Sequence, residues 1–158
     1  MSCKTNKKAE NHPIIHNTKS KSHLNQTNTD NSSFIYKNAI YKTNIYSVLL
    51  HPVGFEFGEP ILNLNKRDSL ILSFDELDSL PKNYFYTLIH CNSDWTPSDL
   101  LESEYLNGFN KEPIYDYESS FNTLQRYTHY NTIIPSEEMQ PILSGNYLLI
   151  VFENDNIN

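Results

Sequence analysis

Residues 90–110 read HCNSDWTPSDLLESEYLNGFN and gather His90, Cys91, Asp94, Asp99, Glu102 and Glu104 in one window, beside Trp95, the only tryptophan of the chain. Imidazole, thiol and carboxylate are the groups that ligate metals and move protons. Spacing decides whether they can act together. His90 and Cys91 are adjacent in an extended apolar run, so strand alternation sends their side chains to opposite faces. Neither a shared metal ion nor a thiolate–imidazole pair can form from these two alone. Cys91 is in phase with Phe85 and Ile89 and reads as a small buried hydrophobe. The remaining pairing is His90 with His129 across strands, where a structural role is favoured over a metal-binding one.

The acids of the window have local work if it forms a helix. Thr96 is a good N-cap, Pro97 suits the first helical position, and Asp99 sits at the third, where a carboxylate meets the positive helix end. Trp95 and Leu100 have the spacing of a hydrophobic staple, and Asn107-Gly108 supplies a stop. DWTPSDLLESEYLNG therefore predicts a short capped helix in a β–β connection. On this reading Asp99 completes the cap, Glu102 and Glu104 face solvent, and Asp94 binds backbone N–H groups of the preceding turn. General acid–base catalysis needs carboxylates converging on a cleft, and nothing in this spacing makes them converge. The aromatic set Trp95, Tyr105, Phe109, Tyr115, Tyr117, Phe121, Tyr127 and Tyr130 fits either a sugar-stacking face or core packing. Core is the reading for most of them. Trp95 and Phe109, in the loop, are the candidates to reach a partner surface.

The elements that must position these residues begin near Tyr41. IYSVLL (45–50), PILNLN (60–65), SLILSF (69–74), NYFYTLIHCN (83–92), YDYESSFNT (115–123), QRYTHYNTII (125–134) and GNYLLIVFEN (145–154) are β-rich runs separated by turn material. Leu70, Leu72 and Phe74 alternate as in a half-buried strand. The 83–92 run is apolar on both faces, as a central strand is. Regularly spaced short strands predict an all-β fold, an antiparallel β-sandwich with one short helix in a connection, over residues 41–158. Residues 1–40 are mainly Asn, Lys, Ser and Thr with isolated apolar positions. They cannot bury enough surface to offset ordering and read as a disordered tether. His12, His16 and His23 lie there at spacings that fit no helical metal pair.

Composition removes several function classes. The chain has 158 residues and a net charge of −7. Six lysines against two acids give residues 1–40 a balance of +4, and the remaining six basic and seventeen acidic residues give −11. An acidic body lacks the clustered Lys and Arg that neutralise phosphates, which argues against nucleic acid. The four glycines cannot be arranged as a phosphate-binding loop, and no G-x-S-x-G, H-E-x-x-H or EF-hand pattern occurs. No run reaches the roughly 18 apolar residues of a membrane helix. Cys3 and Cys91 are the only cysteines and lie in unlike settings, so no bridge, zinc ribbon or C-x-x-C site is expected.

IHCNSDWTPSDL, SEYLNGF, DYESSFNTLQRYTHY and SGNYLLIVFEND stand in this order. With YSVLLHPVGFEFGEPILNLNKRDSLILSFDELD before them, they closely resemble the first domain of the type IX secretion system plug proteins, a Bacteroidota family. The resemblance spans about residues 45–155. It implies an Ig-like sandwich in a periplasmic, outer-membrane-associated and non-enzymatic protein, with no cofactor and no small-molecule substrate. The implied partner is the outer-membrane translocon β-barrel, whose periplasmic mouth the family seals. The implied system exports proteins for gliding motility, adhesion and polymer degradation. Asp94, Trp95, Asp99, Tyr105 and Phe109 fall in the matching motifs and are the candidate partner-binding residues. The competing reading is a carbohydrate-binding module using exposed aromatics. Family chains are much longer, so the resemblance implies a fragment with an exposed sheet edge that invites self-association. No signal peptide precedes Cys3. The serine before it and the polar stretch after it resemble a mature bacterial lipoprotein start, which would make Cys3 a lipidated membrane tether. An incidental cysteine is the equal alternative.

Overall fold

The alternation Leu70, Leu72, Phe74 continues in phase to Glu76, and all four side chains are buried on one face of strand β2 (Leu70–Glu76). A computed structural model describes residues 38–154 apart from 65 and 79. Cys3 and the three N-terminal histidines lie outside the described residues. In it β2 pairs with β1 (Ile45–Pro52) on one side and β7 (Thr128–Ile134) on the other, and β7 pairs with β6 (Asp116–Ser119). All these pairings are antiparallel.

The second layer is built on the run that is apolar on both faces. Strand β3 (Tyr84–Cys91) lies between β5 (Glu112–Ile114) and β9 (Asn146–Glu153), again antiparallel. It occupies the central position its sequence predicts. A single helical turn, α1 (Glu102–Tyr105), leads into β4 (Leu106–Gly108), which pairs with β8 (Met139–Pro141) in a separate two-stranded ladder. The orders β1-β2-β7-β6 and β5-β3-β9 are those of an immunoglobulin-type sandwich, A-B-E-D facing C′-C-F. The position beside β9 holds no strand among the described residues. The all-β sandwich with one short helix is therefore the observed fold.

The core fills the space between the layers. Leu72, Phe74, Tyr130 and Ile134 from one sheet meet Tyr84, Tyr86, Leu88 and Ile114 from the other, and Tyr105, Leu106 and Met139 close one end. Phe74 stacks on Tyr130 at 4.9 Å, and Tyr84 meets both rings edge-on at 5.1 and 4.9 Å, the arrangements aromatic quadrupoles favour.

Three expectations fail here. Residues 60–64 form no strand: Ile61 and Leu64 are exposed, and Asn63 is held locally by the Asp68 carboxylate. The helix shrinks to one turn. Finally, most of the aromatic set is not core. Tyr105 and Tyr130 are buried and Trp95 and Phe109 exposed, as expected, but Tyr115, Tyr117 and Phe121 are also exposed and Tyr127 is half-buried, so the core aromatics come largely from β2 and β3.

Candidate partner-binding surface

The window that opened the sequence leaves β3 as a tight, internally bonded turn. The Asn92 N–H donates to the Thr96 carbonyl at 2.8 Å, the Trp95 N–H to the Asn92 carbonyl at 3.1 Å, and the Ser98 N–H to the His90 carbonyl at 2.9 Å. Pro97 forms a β-bridge with Cys91. Thr96 is not an N-cap. Its backbone N–H and hydroxyl both donate to the Asp94 carboxylate, at 3.1 and 2.6 Å, which makes Asp94 the binder of backbone N–H that the sequence predicts. These bonds, the hydroxyl's first, hold the Asp94 carboxyl below the usual aspartate range. Capping propensity over 96–99 has yielded to pairing of residues 97 and 98 with β3, a tertiary override of a weak local preference. Asp99 therefore caps nothing and stands exposed, and the Trp95–Leu100 staple does not form.

The turn places Trp95 at φ 66°, a left-handed conformation unusual for a bulky residue, and leaves it 47% exposed. Phe109, after β4, is 61% exposed. The remaining member of the predicted set goes the other way. Tyr105 is 5% exposed and packs against His90 and Tyr147, with ring centroids 5.7 and 6.1 Å away. The structure thus brings Asp94 and Trp95 together on one turn, adds Phe109 from the same excursion, leaves Asp99 at the surface and assigns Tyr105 to packing.

Carboxylates and imidazoles are used structurally. Glu104 accepts the Leu101 N–H at 2.7 Å while its own N–H returns to the Leu101 carbonyl at 2.9 Å, which closes the single helical turn. Glu102 accepts from Asn110 at 2.7 Å. Nδ1 of His90 lies 2.9 Å from the Ser98 hydroxyl. On its other side a Cβ on Gly145 would come within 2.2 Å of Nε2, so the ring seats against a residue that must be glycine. His90 does not meet His129. The two occupy different sheets, and His129 bonds Asp75 at 2.7 Å instead. Cys91 is buried on the opposite face of β3 from His90, and burial raises its thiol pKa, as for an inert structural cysteine.

Sequence reasoning missed one polar row. Register sets Asp75 of β2, His129 of β7 and Glu118 of β6 side by side on the outer face of the four-stranded sheet, over a groove that also includes Ser119 and Ser120. The Ser120 hydroxyl accepts from the Tyr127 N–H at 2.9 Å and from Thr123 at 3.1 Å, which ties the β6–β7 loop to the groove. Among the described residues, no group of three His, Cys, Asp or Glu side chains could hold a metal, and no helix is long and apolar enough to cross a membrane. The signal that could have found the row is the register itself, which single-strand periodicity does not contain.

Large apolar side chains cluster instead on connections. The β1–β2 connection exposes Phe55 and Phe57 and leaves from the same end of the sandwich as the Trp95 turn, because β2 joins β3 at the opposite end. The β6–β7 loop presents Phe121, 94% exposed, and Leu124. Rigid turns bearing exposed aromatics suit surface recognition better than catalysis.

A family model described as the type 9 secretion system plug protein 1st domain matches residues 45–158. A crystal structure of a hypothetical protein from Parabacteroides merdae ATCC 43184 superposes with a TM-score of 0.68 at 33% identity. It covers 71% of this chain and 28% of that one, so the chain spans under a third of the length of that relative. No curated protein matches.

Proposed function

The chain belongs to the family of the type 9 secretion system plug protein first domain, and on that premise we propose that it binds the periplasmic mouth of the outer-membrane translocon β-barrel and blocks it sterically. The family is a secretion-system plug family and not an enzyme family. The observation that carries the reading is the family match across the whole sandwich, including the connection that exposes Trp95 and Phe109. Rigid aromatic side chains supported from behind are efficient anchors at protein interfaces. Trp95 is such a side chain, with Asp94 and Thr96 holding its turn.

In this reading the protein is periplasmic and associated with the outer membrane, with Cys3 as its lipid tether, and the carboxylates of residues 94–104 serve the fold. Co-purification with the translocon barrel tests it, together with a pore-closure measurement. Binding and closure that persist when residues 45–158 are deleted from the plug overturn the reading for this domain. The carbohydrate alternative rests on the exposure of Trp95, the sole tryptophan, and predicts a fluorescence change on adding polysaccharide. An unchanged emission removes it.

A further inference from the structure

The fold uses the carboxylates of β2 and of the Trp95 excursion, and it does not use Glu56. Glu76 holds Lys82, Asp94 holds Thr96 and Glu102 holds Asn110. No hydrogen bond or ion pair joins Glu56 to another of the described residues. It stands between Phe55 and Phe57 in the connection after β1, and with both rings, His51, Gly54 and Ile71 it lines a groove of about 380 Å³. Phe57 is 93% exposed. A surface carboxylate by itself signifies solubility; one set between two exposed rings over a groove also offers a charged contact.

Backbone bonds hold the groove in shape. The Val53 N–H donates to the Ser69 carbonyl at 2.9 Å and extends the β1–β2 ladder past Pro52. Two successive turns follow, closed by the Phe55 N–H on the Pro52 carbonyl at 3.1 Å and the Gly58 N–H on the Phe55 carbonyl at 3.0 Å. Gly58 lets the Phe55 ring settle against the turn, since a Cβ there would come within 2.6 Å of the ring and 3.0 Å of Pro52. Register supplies the floor by setting His51 of β1 opposite Ile71 of β2 on the outer face of the sheet. Nδ1 of His51 bonds the Pro52 carbonyl at 3.0 Å. A carbonyl only accepts, so Nδ1 carries the proton and Nε2 of the neutral ring is left as an acceptor. The lining therefore offers apolar area, two ring faces and two acceptors, with no side-chain donor to spare.

We propose that this groove is a docking site for an arginine side chain of a protein partner. A guanidinium has donors and no acceptor, so it matches a groove whose polar groups only accept. It bonds the Glu56 carboxylate and Nε2 of His51, stacks on an exposed phenyl face, and lays its methylene stem on Ile71. Lysine brings the charge without the planar fork, and an apolar side chain leaves both acceptors unmatched. The charge of the molecule favours the same occupant. Residues 41–158 carry six basic and seventeen acidic side chains, a balance of −11, which draws a cationic partner. The groove keeps this chemistry whichever partner the secretion reading names.

The test titrates the whole chain, followed by NMR, with capped tripeptides that place arginine, lysine, citrulline or leucine between two glycines. The arginine peptide should shift the resonances of His51, Phe55, Glu56, Phe57 and Ile71 saturably at millimolar concentrations. Citrulline keeps the planar head group and loses the charge, so it should bind about tenfold more weakly, and lysine about threefold more weakly. Glu56→Gln and Phe57→Ala should each weaken the arginine peptide by about threefold, and Glu56→Gln should narrow its advantage over citrulline. Absence of a saturable shift at these residues overturns the proposal. So does citrulline or leucine binding as tightly as arginine, which would make the groove an apolar slot. Shifts spread evenly over the acidic surface overturn it too, as attraction without a site. Barrel binding with a silent groove would leave the secretion reading standing, and the reverse result would leave the groove.

Discussion

Two connections leave opposite ends of strand β3, and they treat their polar groups in opposite ways. The β2–β3 connection turns inward. Its Lys82 reaches Glu76, whose side chain is 0% exposed, at 2.6 Å, and Asn44 donates to the same carboxylate at 2.8 Å. The Tyr130 hydroxyl accepts the Lys82 N–H at 2.7 Å. The connection after β3 turns outward. Its hydrogen bonds close a turn on itself, and the product is an exposed indole. A buried charge demands satisfied partners, whereas a recognition surface demands unsatisfied area held in place. One strand thus separates the connection that satisfies a buried charge from the connection that presents exposed aromatic area.

The strongest way to break the inward connection is to remove one charge. Lys82→Met leaves Glu76 buried without its cation and should lower stability by about 3–5 kcal/mol. Denaturant unfolding measures it, and the paired substitution Glu76→Leu with Lys82→Met should recover much of the loss. Lys82 has its pKa raised above the ordinary lysine value, first by its bond to Glu76. Its contribution is therefore present below the unfolded lysine pKa of 10.5 and lost only as the pH rises through the higher folded value. Stability near neutral pH should be insensitive to it, and the alkaline loss should vanish in Lys82→Met.

Tyr105 sharpens the comparison from within the outward connection, because it is the one member of the predicted binding set that points inward. Tyr105→Ala should cost about 3–5 kcal/mol of stability, as deletion of a buried aromatic does. Loss of partner binding should follow only as far as the fold is lost. If Tyr105→Ala leaves the unfolding midpoint unchanged, its assignment to packing is wrong.

Trp95→Gly is expected to do the reverse. Glycine adopts φ 66° freely, so stability should hold or rise by as much as about 1 kcal/mol. Barrel binding should weaken by about 2 kcal/mol, as for loss of an aromatic anchor. A pull-down comparing Trp95→Gly with Tyr105→Ala at matched folded fraction separates the two roles.

What was legible in the sequence follows from which forces act locally. The strand run at 69–74 was readable because alternation records which face is buried, and those at 83–92 and 145–154 because a short continuous apolar run between turn signals fits a strand buried on both faces. The burial of Glu76 was not legible, because it lies beyond the 69–74 run and its partners Asn44, Lys82 and Tyr130 are far apart in sequence. The run at 60–65 carried apolar residues, yet Ile61 and Leu64 stay exposed in the connection between β1 and β2. The 96–106 helix was overestimated because capping rules weigh Thr96, Pro97 and Asp99 by neighbours alone. Here Pro97 and Ser98 pair with β3, and Asp94 claims Thr96. Of the binding candidates, Trp95 and Phe109 emerged at the surface, as a loop position suggests. Tyr105 could be placed only by the packing of His90 and Tyr147.

The smallest effect tests whether the outward turn is held as described. The Thr96 hydroxyl is the first cause of the depressed Asp94 pKa, and the Thr96 backbone N–H is the second. Thr96→Val removes the hydroxyl and keeps the N–H, so the Asp94 pKa should move back toward, without reaching, the ordinary value of 3.8. A carboxyl depressed in the fold contributes stability above its unfolded pKa and loses it as the pH falls through the folded one. The stability lost on substitution is thus fully present above the ordinary aspartate range and fades as the pH falls through the folded value. NMR titration of the Asp94 carboxyl carbon reads the shift directly. An identical titration curve in Thr96→Val would mean that the hydroxyl does not grip the carboxylate, and Trp95 would then be presented by a looser turn than its φ angle implies.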